Sequence, residues 1–202
     1  MRPKFVYFDL GNVLCFFDHQ KSVENMVALT GSDPKKIRDI VYVMDLEHRY
    51  ETGLVTGHEF VDEIARELGI TMLDYDLMLE AASDMFLPND EVLPVLDRIR
   101  RMGIPMGILS NTCDAHWQWI VKQNYRQLNF EFDPIILSYQ EKVMKPNSEI
   151  YRLSTEKAGF KANNIFFTDD RIDNIEAAKA FGWMTHRFVD SAELLLLVDQ
   201  WE

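Results

Sequence analysis

Reactive side chains follow the apolar runs of this 202-residue chain. They are Asp9 after residues 5–8, Ser110 and Asn111 after 106–109, Lys145 after 135–138, and Asp169 and Asp170 after 165–168. Carboxylates that lie close together raise one another's pKa unless a cation compensates their charge. Mg²⁺ is a common choice, because it binds carboxylate oxygens together with water and a substrate phosphate. This set of residues therefore indicates phosphoryl transfer, for which an aspartate can be the nucleophile.

The chemistry requires that these residues share one edge of a sheet. The run 5–8 is typical of a buried central strand. From residue 89 onward the pattern predicts helices at 91–102, 115–125, 148–158, 172–181 and 191–200, alternating with strands at 105–110, 135–138, 165–168 and 185–189. Such alternation predicts an α/β fold with a parallel sheet, in which all carboxyl ends lie on the same edge. A simpler interpretation of Asp9 alone is that it caps the turn after its strand.

From about Phe16 to Pro88 the chain contains no convincing strand and reads as amphipathic helices with clear start and stop signals. Thr56 precedes one helix, whose apolar positions recur every four residues, and Gly69 ends it. We therefore expect a discontinuous core, 1–16 and 89–202, with an inserted all-helical lobe at 17–88. The lobe is placed to act as a lid, although a purely structural role fits the pattern too.

The net charge of −12 and the pI near 4.8 argue against partners that require a basic surface, namely nucleic acids and anionic membranes. Asp9 interrupts the only early apolar stretch, so no signal peptide is predicted, and no apolar run has membrane-spanning length. Cys15 and Cys113 do not have metal-ligand spacing and fit the free thiols of a reducing cytosol. We expect a cytoplasmic protein, and the sequence predicts no oligomeric state.

Four motifs in order make the chain resemble the haloacid dehalogenase superfamily along essentially its whole length. They are Asp9-Leu10-Gly11-Asn12-Val13, Ile108-Leu109-Ser110-Asn111, Lys145-Pro146, and Phe167-Thr168-Asp169-Asp170 followed by Asn174. These versions are most similar to sugar-phosphate phosphatases and to the phosphatase domain of soluble epoxide hydrolases. The resemblance implies a doubly wound, Rossmann-like core with a small helical cap.

The resemblance also implies a role for each motif. Asp9 would be the nucleophile and a Mg²⁺ ligand, and Gly11 would offer its backbone carbonyl to the metal. Asp170 would be the metal ligand of the fourth motif, with Asp169 beside it. A last set would hold the charge of the transferring phosphoryl group: Ser110, Asn111 and Lys145.

Gly11 departs from the family pattern, because phosphatases of this family normally carry a second aspartate there as general acid and base. Without that aspartate the site lacks general acid–base catalysis, which typically raises the rate by ~10²–10⁴-fold. Asp18, His19 or His116 could substitute, although each is more often a surface or capping residue. Without a substitute, substrates with leaving groups of low pKa should be favoured and a phosphorylated Asp9 should accumulate.

Three functions remain open at this point. The first is a phosphatase acting on a small phosphate ester, for example a sugar phosphate. The second is a binding or regulatory protein that keeps the fold without turnover. The third is a 2-haloacid dehalogenase, whose halide leaving group needs no proton but whose site does not need the Asp169-Asp170 pair. We rank them in that order.

Overall fold

A computed structural model describes residues 2–201 of the chain. Its strands are β1 Phe5–Phe8, β2 Cys15–Phe17, β3 Phe86–Pro88, β4 Met106–Ser110, β5 Ile135–Leu137, β6 Ile165–Asp169 and β7 Met184–Arg187. Five of them form one sheet in the order β5-β4-β1-β6-β7, and every neighbouring pair in it is parallel. The predicted parallel sheet is thus confirmed, with β1 at its centre.

Helices connect these strands. They are α1 His19–Thr30, α2 Pro34–Arg38, α3 Leu46–Glu51, α4 Gly57–Leu68, α5 Tyr75–Ser83, α6 Leu93–Arg101, α7 Asp114–Lys122, α8 Ser138–Glu141, α9 Ser148–Ala158, α10 Ile172–Phe181 and α11 Ser191–Asp199. The helices predicted after residue 89 are confirmed, with ends shifted by a few residues. Within residues 2–201, no helix combines the length and the hydrophobicity needed to cross a membrane.

The side chains of β1 alternate between two hydrophobic cores. Val6 and Phe8 pack in a core that α6 and α11 cover, whereas Phe5 and Tyr7 pack in a second core with residues of α9 and α10. Because all four residues are buried, the strand is apolar without interruption. The sheet is therefore covered by helices on both faces, as expected for a doubly wound fold.

The helices α1–α5 form a cap with a hydrophobic core of its own. Val23, Ile64 and Met78 are fully buried in it, and Cys113 of the sheet domain packs against the same cluster. Local signals set the helix ends: Thr56 and Glu59 form a capping box at the start of α4, and Gly69 ends it with φ of 73°. The exact division of the chain at residues 16/17 and 88/89 stays a prediction.

The absence of strands between residues 16 and 88 was a wrong prediction. Antiparallel β2 and β3 pair Cys15 with Pro88 and Phe17 with Phe86, so a two-stranded stem joins the cap to the core. Each strand has only three residues, too few for a period-two pattern to be recognised. Phe17 and Phe86 of the stem line the cavity of the candidate active site.

Candidate active site

Asp9 and Asp169 lie next to each other because β1 and β6 are neighbours in register. Phe8 pairs with Thr168, and the Asp9 N–H donates to the Thr168 carbonyl at 3.0 Å. With Asp170, these residues offer three carboxylate oxygens that all lie within 4.8 Å of one another. The structure therefore brings together the three carboxylates that the sequence placed on one edge.

Lys145 compensates the charge of two of them. Its Nζ lies 2.7 Å from Asp9 Oδ1 and 2.6 Å from Asp169 Oδ2, and it donates to the Leu109 carbonyl at 2.9 Å. Burial alone would lower the pKa of Lys145, but Asp169 and Asp9 outweigh this effect and the net shift is upward. The buried ammonium is thus charged and fully hydrogen-bonded.

The two aspartates of the fourth motif have different surroundings. Asp169 is fully buried and accepts hydrogen bonds from Lys145, from the Arg171 N–H at 2.8 Å and from Asn174 Nδ2 at 3.0 Å on both oxygens. Asp170 is half-buried, and only Asn12 Nδ2, at 2.9 Å from Oδ2, donates to its carboxylate among residues 2–201. Asp169 is therefore suited to hold Lys145, and Asp170 has oxygens left for a cation.

Asp9 has one constrained and one unconstrained carboxylate oxygen. Oδ1 accepts from the Leu10 N–H at 2.7 Å and from Lys145, whereas no described residue donates to Oδ2. Burial raises the pKa of Asp9 to about 7, against the opposing effect of Lys145 and with a further contribution from Asp169. A bound cation would favour the charged form and oppose this shift.

The oxygen donors at this edge fit a hard divalent cation. Asp9, Gly11 and Asp170 line the same cavity, and the Gly11 carbonyl accepts no backbone hydrogen bond within the described chain. Oxygen ligands without nitrogen or sulfur are what Mg²⁺ prefers. The residues present therefore fit the metal that the sequence implied.

Asn111 has a contact that the sequence did not predict. Its Oδ1 accepts from the Lys145 N–H at 2.8 Å and its Nδ2 donates to the Lys145 carbonyl at 2.9 Å. This pair of bonds fixes the backbone that carries the ammonium. The Ser110 hydroxyl, in contrast, makes only a 3.3 Å contact with the Asn111 carbonyl and lines the open cavity.

The space beside Gly11 is filled by Phe17. A Cβ atom at position 11 would lie 2.9 Å from Phe17 Cε1 and 3.4 Å from Cδ1. The ring is held edge-on to His19, with centroids 4.9 Å apart. An aromatic residue of the stem therefore lies where the family's second aspartate would begin, and no sequence motif indicated this contact.

A cavity of about 400 Å³ lies between this edge and the cap. Besides the motif residues, it is lined from the cap and stem by Phe17, His19, Tyr42, Glu47, His48, Glu51 and Phe86. Of the three substitutes for the missing acid, His19 and His116 line the cavity. Asp18 does not, because it caps α1 through the Gln20 N–H at 2.8 Å.

Comparisons with known proteins agree with the family resemblance and with the fold. The model of the haloacid dehalogenase-like hydrolase family matches residues 3–182. A haloacid dehalogenase-family enzyme of Bacteroides thetaiotaomicron, solved as a complex with magnesium and inorganic phosphate, superposes with a TM-score of 0.83 at 29% identity, covering 95% of this chain and 98% of that one.

Two curated relatives have different activities. D-ribitol-5-phosphate phosphatase of Bacteroides thetaiotaomicron is 26% identical over 198 residues, which is 94% of either chain. The (S)-2-haloacid dehalogenase of Pseudomonas fluorescens is 31% identical, but the match spans only 50% of this chain and 45% of the dehalogenase. Because the family model covers most of the sequence and the fold agrees, this chain belongs to the haloacid dehalogenase-like hydrolase family.

Proposed function

We propose that this protein is a Mg²⁺-dependent phosphatase that hydrolyses a small phosphate ester through a phosphorylated Asp9. The cluster of Asp9, Asp169 and Asp170 carries this proposal, since three carboxylates within 4.8 Å require more positive charge than Lys145 alone supplies. Similarity to a D-ribitol-5-phosphate phosphatase over nearly the whole chain supports it. So does the fold of an enzyme solved with magnesium and phosphate.

Asp9, Asp170 and the Gly11 carbonyl would hold the metal, with Asp169 behind them. When bound, Mg²⁺ supplies positive charge that screens the substrate phosphate from the carboxylates. Lys145, whose Nζ lies 2.7 Å from Asp9 Oδ1, would stabilise the negative charge of the phosphoryl group as well. The Ser110 hydroxyl and the Asn111 backbone N–H would bind phosphoryl oxygens, because the Asn111 side chain is occupied with the Lys145 backbone.

In the first step Asp9 Oδ2 attacks phosphorus. Oδ1 is held by Leu10 and Lys145, so the carboxylate is oriented before the substrate arrives. The bond from phosphorus to the leaving oxygen breaks, and an alcohol is released once that oxygen gains a proton. In the second step water attacks the phosphorylated Asp9, loses a proton, and frees phosphate and the carboxylate.

The cavity of about 400 Å³ fits a small ester, and a sugar or polyol phosphate is the substrate class we favour. The cap side offers Tyr42, His48 and Glu47 as partners for hydroxyl groups. Both cysteines are buried free thiols, which suits a reducing compartment such as the cytoplasm. A dehalogenase is less favoured, since that chemistry does not use the acidic fourth motif.

Phosphate release is expected to require Mg²⁺ and to stop in excess chelator. Asp170→Ala should reduce turnover by at least ~10²-fold, because it removes a ligand without touching the nucleophile. It should also weaken Mg²⁺ binding in calorimetric titration while leaving the thermal transition cooperative. Asp76→Ala, on the exposed first turn of α5, is the matched control and should change neither property.

Undiminished phosphate release in chelator would contradict the metal requirement. Chloride release from a 2-haloacid, with no release of phosphate from any of a panel of esters, would favour the dehalogenase. Mg²⁺ binding without turnover of either substrate class would favour the binding protein.

A further inference from the structure

We propose that Glu51 of the cap is the general acid and base of this site and takes the role that Gly11 cannot fill. The inference rests on the proposed phosphatase function and adds the residue that moves the proton. The sequence did not indicate this role, because Glu51 belongs to none of the four motifs and lies in the helical cap, whereas the motif residues lie in the core.

The backbone of Glu51 is fixed to the core beside the phosphate-binding loop. Its carbonyl accepts from Ser138 Oγ at 2.6 Å, and Ser138 Oγ accepts from the Thr112 N–H at 2.9 Å. Thr112 is two residues after Ser110, at the end of β4. One buried hydroxyl therefore ties the last residue of α3 to the loop that would bind the phosphoryl group.

The next residues of the cap continue this attachment. Lys142 Nζ donates to the Gly53 carbonyl at 2.6 Å, and Thr52 Oγ1 contacts Met144 Sδ at 3.1 Å. Gly53 approaches the Tyr139 carbonyl so closely that a Cβ atom there would overlap it. The segment after α3 is thus docked on the stretch that leads to Lys145, and Glu51 is held on the core rather than on a free part of the cap.

In-line attack determines where an acid is needed. The leaving oxygen lies on the side of phosphorus opposite to the nucleophile. Asp9 lies at the edge of the sheet and the cap covers the cavity, so the leaving group points toward the cap. Water enters from that side in the second step, and one cap residue can therefore serve both steps.

The Glu51 carboxyl lines the cavity without a hydrogen bond or ion pair to any residue within 2–201. The ionisable groups around the cavity are Glu47 and His48 on its own helix, His19 and Tyr42 from the rest of the cap, and Asp9, Lys145, Asp170, Arg171 and His116 from the core. Burial raises the pKa of Glu51 to about 7, although Lys145 and Arg171 oppose the shift. Both protonation states are accessible near neutral pH, as a residue with both roles requires.

The other candidates are less suitable. Glu47 Oε1 lies 3.8 Å from His19 Nδ1, so the Glu47 carboxyl has a partner within the cap, whereas the Glu51 carboxyl has none among residues 2–201. Burial lowers the pKa of His116 to about 4, and burial also lowers the pKa of His19, so burial disfavours the cationic form that would be the general acid. Asp18 lies outside the cavity.

The proton is conserved through the two steps. Protonated Glu51 gives its proton to the leaving oxygen while the bond from Asp9 to phosphorus forms and the ester bond breaks. The resulting carboxylate then takes a proton from the attacking water, and the bond between phosphorus and Asp9 breaks. Phosphate leaves, and Asp9 and Glu51 return to their starting states.

The test is Glu51→Gln in the full chain with Mg²⁺, assayed on a series of alkyl and aryl phosphates. For alkyl phosphates kcat/KM should fall by ~10²–10⁴-fold, and for an activated aryl phosphate by less than ~10-fold, since its leaving group needs little protonation. The plot of log kcat/KM against leaving-group pKa should therefore become steeper. Rapid mixing of the activated ester should show a burst near one equivalent followed by slow turnover, because the second step has lost its base. This burst is expected of the variant rather than of the native chain.

Two further variants serve as references. Glu24→Gln, on the exposed outside of α1, should leave the slope and the rates unchanged. Glu51→Ala should regain part of its alkyl-phosphate activity when formate is added, since a small acid can enter the vacated space, and this readout is independent of how well glutamine fits.

A wild-type slope in Glu51→Gln, or a rise in KM without a change in kcat, would overturn the role of Glu51, and so would equal losses for alkyl and aryl substrates. Failure of the proposed function is distinguishable from these results. In that case the native chain itself releases no phosphate, or releases it equally well after Asp9→Asn.

Discussion

Lys145→Met is expected to abolish phosphate release and to lower the free energy of unfolding by about 3–5 kcal/mol, the usual range when one partner of a buried ion pair is removed. Lys145 is 3% exposed and faces two carboxylates, Asp9 at 2.7 Å and Asp169 at 2.6 Å. Without the ammonium both are buried next to each other and uncompensated. Asp9 then favours its protonated form, in which it is no longer a nucleophile.

The measurement is urea unfolding in the presence of a chelator, so that no cation replaces the ammonium, together with steady-state phosphate release. Lys157→Met is the matched control, because Lys157 forms a half-exposed pair with Glu141 at 2.5 Å. Such pairs contribute between nothing and about 1 kcal/mol. A loss of stability as small as that of the control would show that Lys145 does not compensate the charges of Asp9 and Asp169 in the folded chain.

The grouping of reactive residues at the carboxyl ends of the strands could be predicted from the sequence, because it depends on local patterns. Uninterrupted apolar runs such as Phe5–Phe8 mark central strands, and helices between them force the parallel arrangement. Once the strands are parallel, Asp9 and Asp169 must lie near each other whatever the details of packing. The resemblance to the family then assigned chemistry to positions that the pattern had already brought together.

Contacts between the cap and the core could not be predicted in this way. Glu51 ends a six-residue helix whose other charged residues are half-buried or exposed, and nothing in that sequence separates a cavity residue from a solvated one. Its location follows from the bond of its backbone carbonyl with Ser138, 87 residues later. Such a contact leaves no periodic trace, since any residue has a carbonyl to offer.

The hydrogen bonds that a motif side chain already makes within the fold could not be predicted from the sequence either. Asn111 follows its strand as expected, yet its amide is used twice by the Lys145 backbone. A motif gives the residue type and the position, but it does not give the number of hydrogen bonds that the fold has already assigned. The same holds for Phe17, whose ring decides what position 11 can accommodate.

Gly11→Asp alone is expected to bring no gain, because its Cβ would lie 2.9 Å from Phe17 Cε1 and the ring would have to move. Trimming the ring in Gly11→Asp/Phe17→Ala opens the space for the new carboxyl at a position that lines the same cavity as Asp9. In a chain that also carries Glu51→Gln, this pair of changes should raise kcat/KM for alkyl phosphates by ~10²–10⁴-fold, the range expected for general acid catalysis. In a chain with native Glu51, the same pair should raise it by less than ~10-fold.

The difference between the two backgrounds is the informative quantity, because two acids that serve the same oxygen are not additive. Gly11→Ala/Phe17→Ala is the matched control: it repeats the change in shape without the carboxyl and should give no gain in either background. An equal gain in both backgrounds would mean that the native site lacks an acid and that Glu51 does not protonate the leaving group. No gain in either, with unfolding transitions like that of the native chain, would mean that a carboxyl at position 11 cannot reach the leaving oxygen of this site. A gain confined to the Glu51→Gln background is the expected result, because only there is the oxygen left without a proton donor.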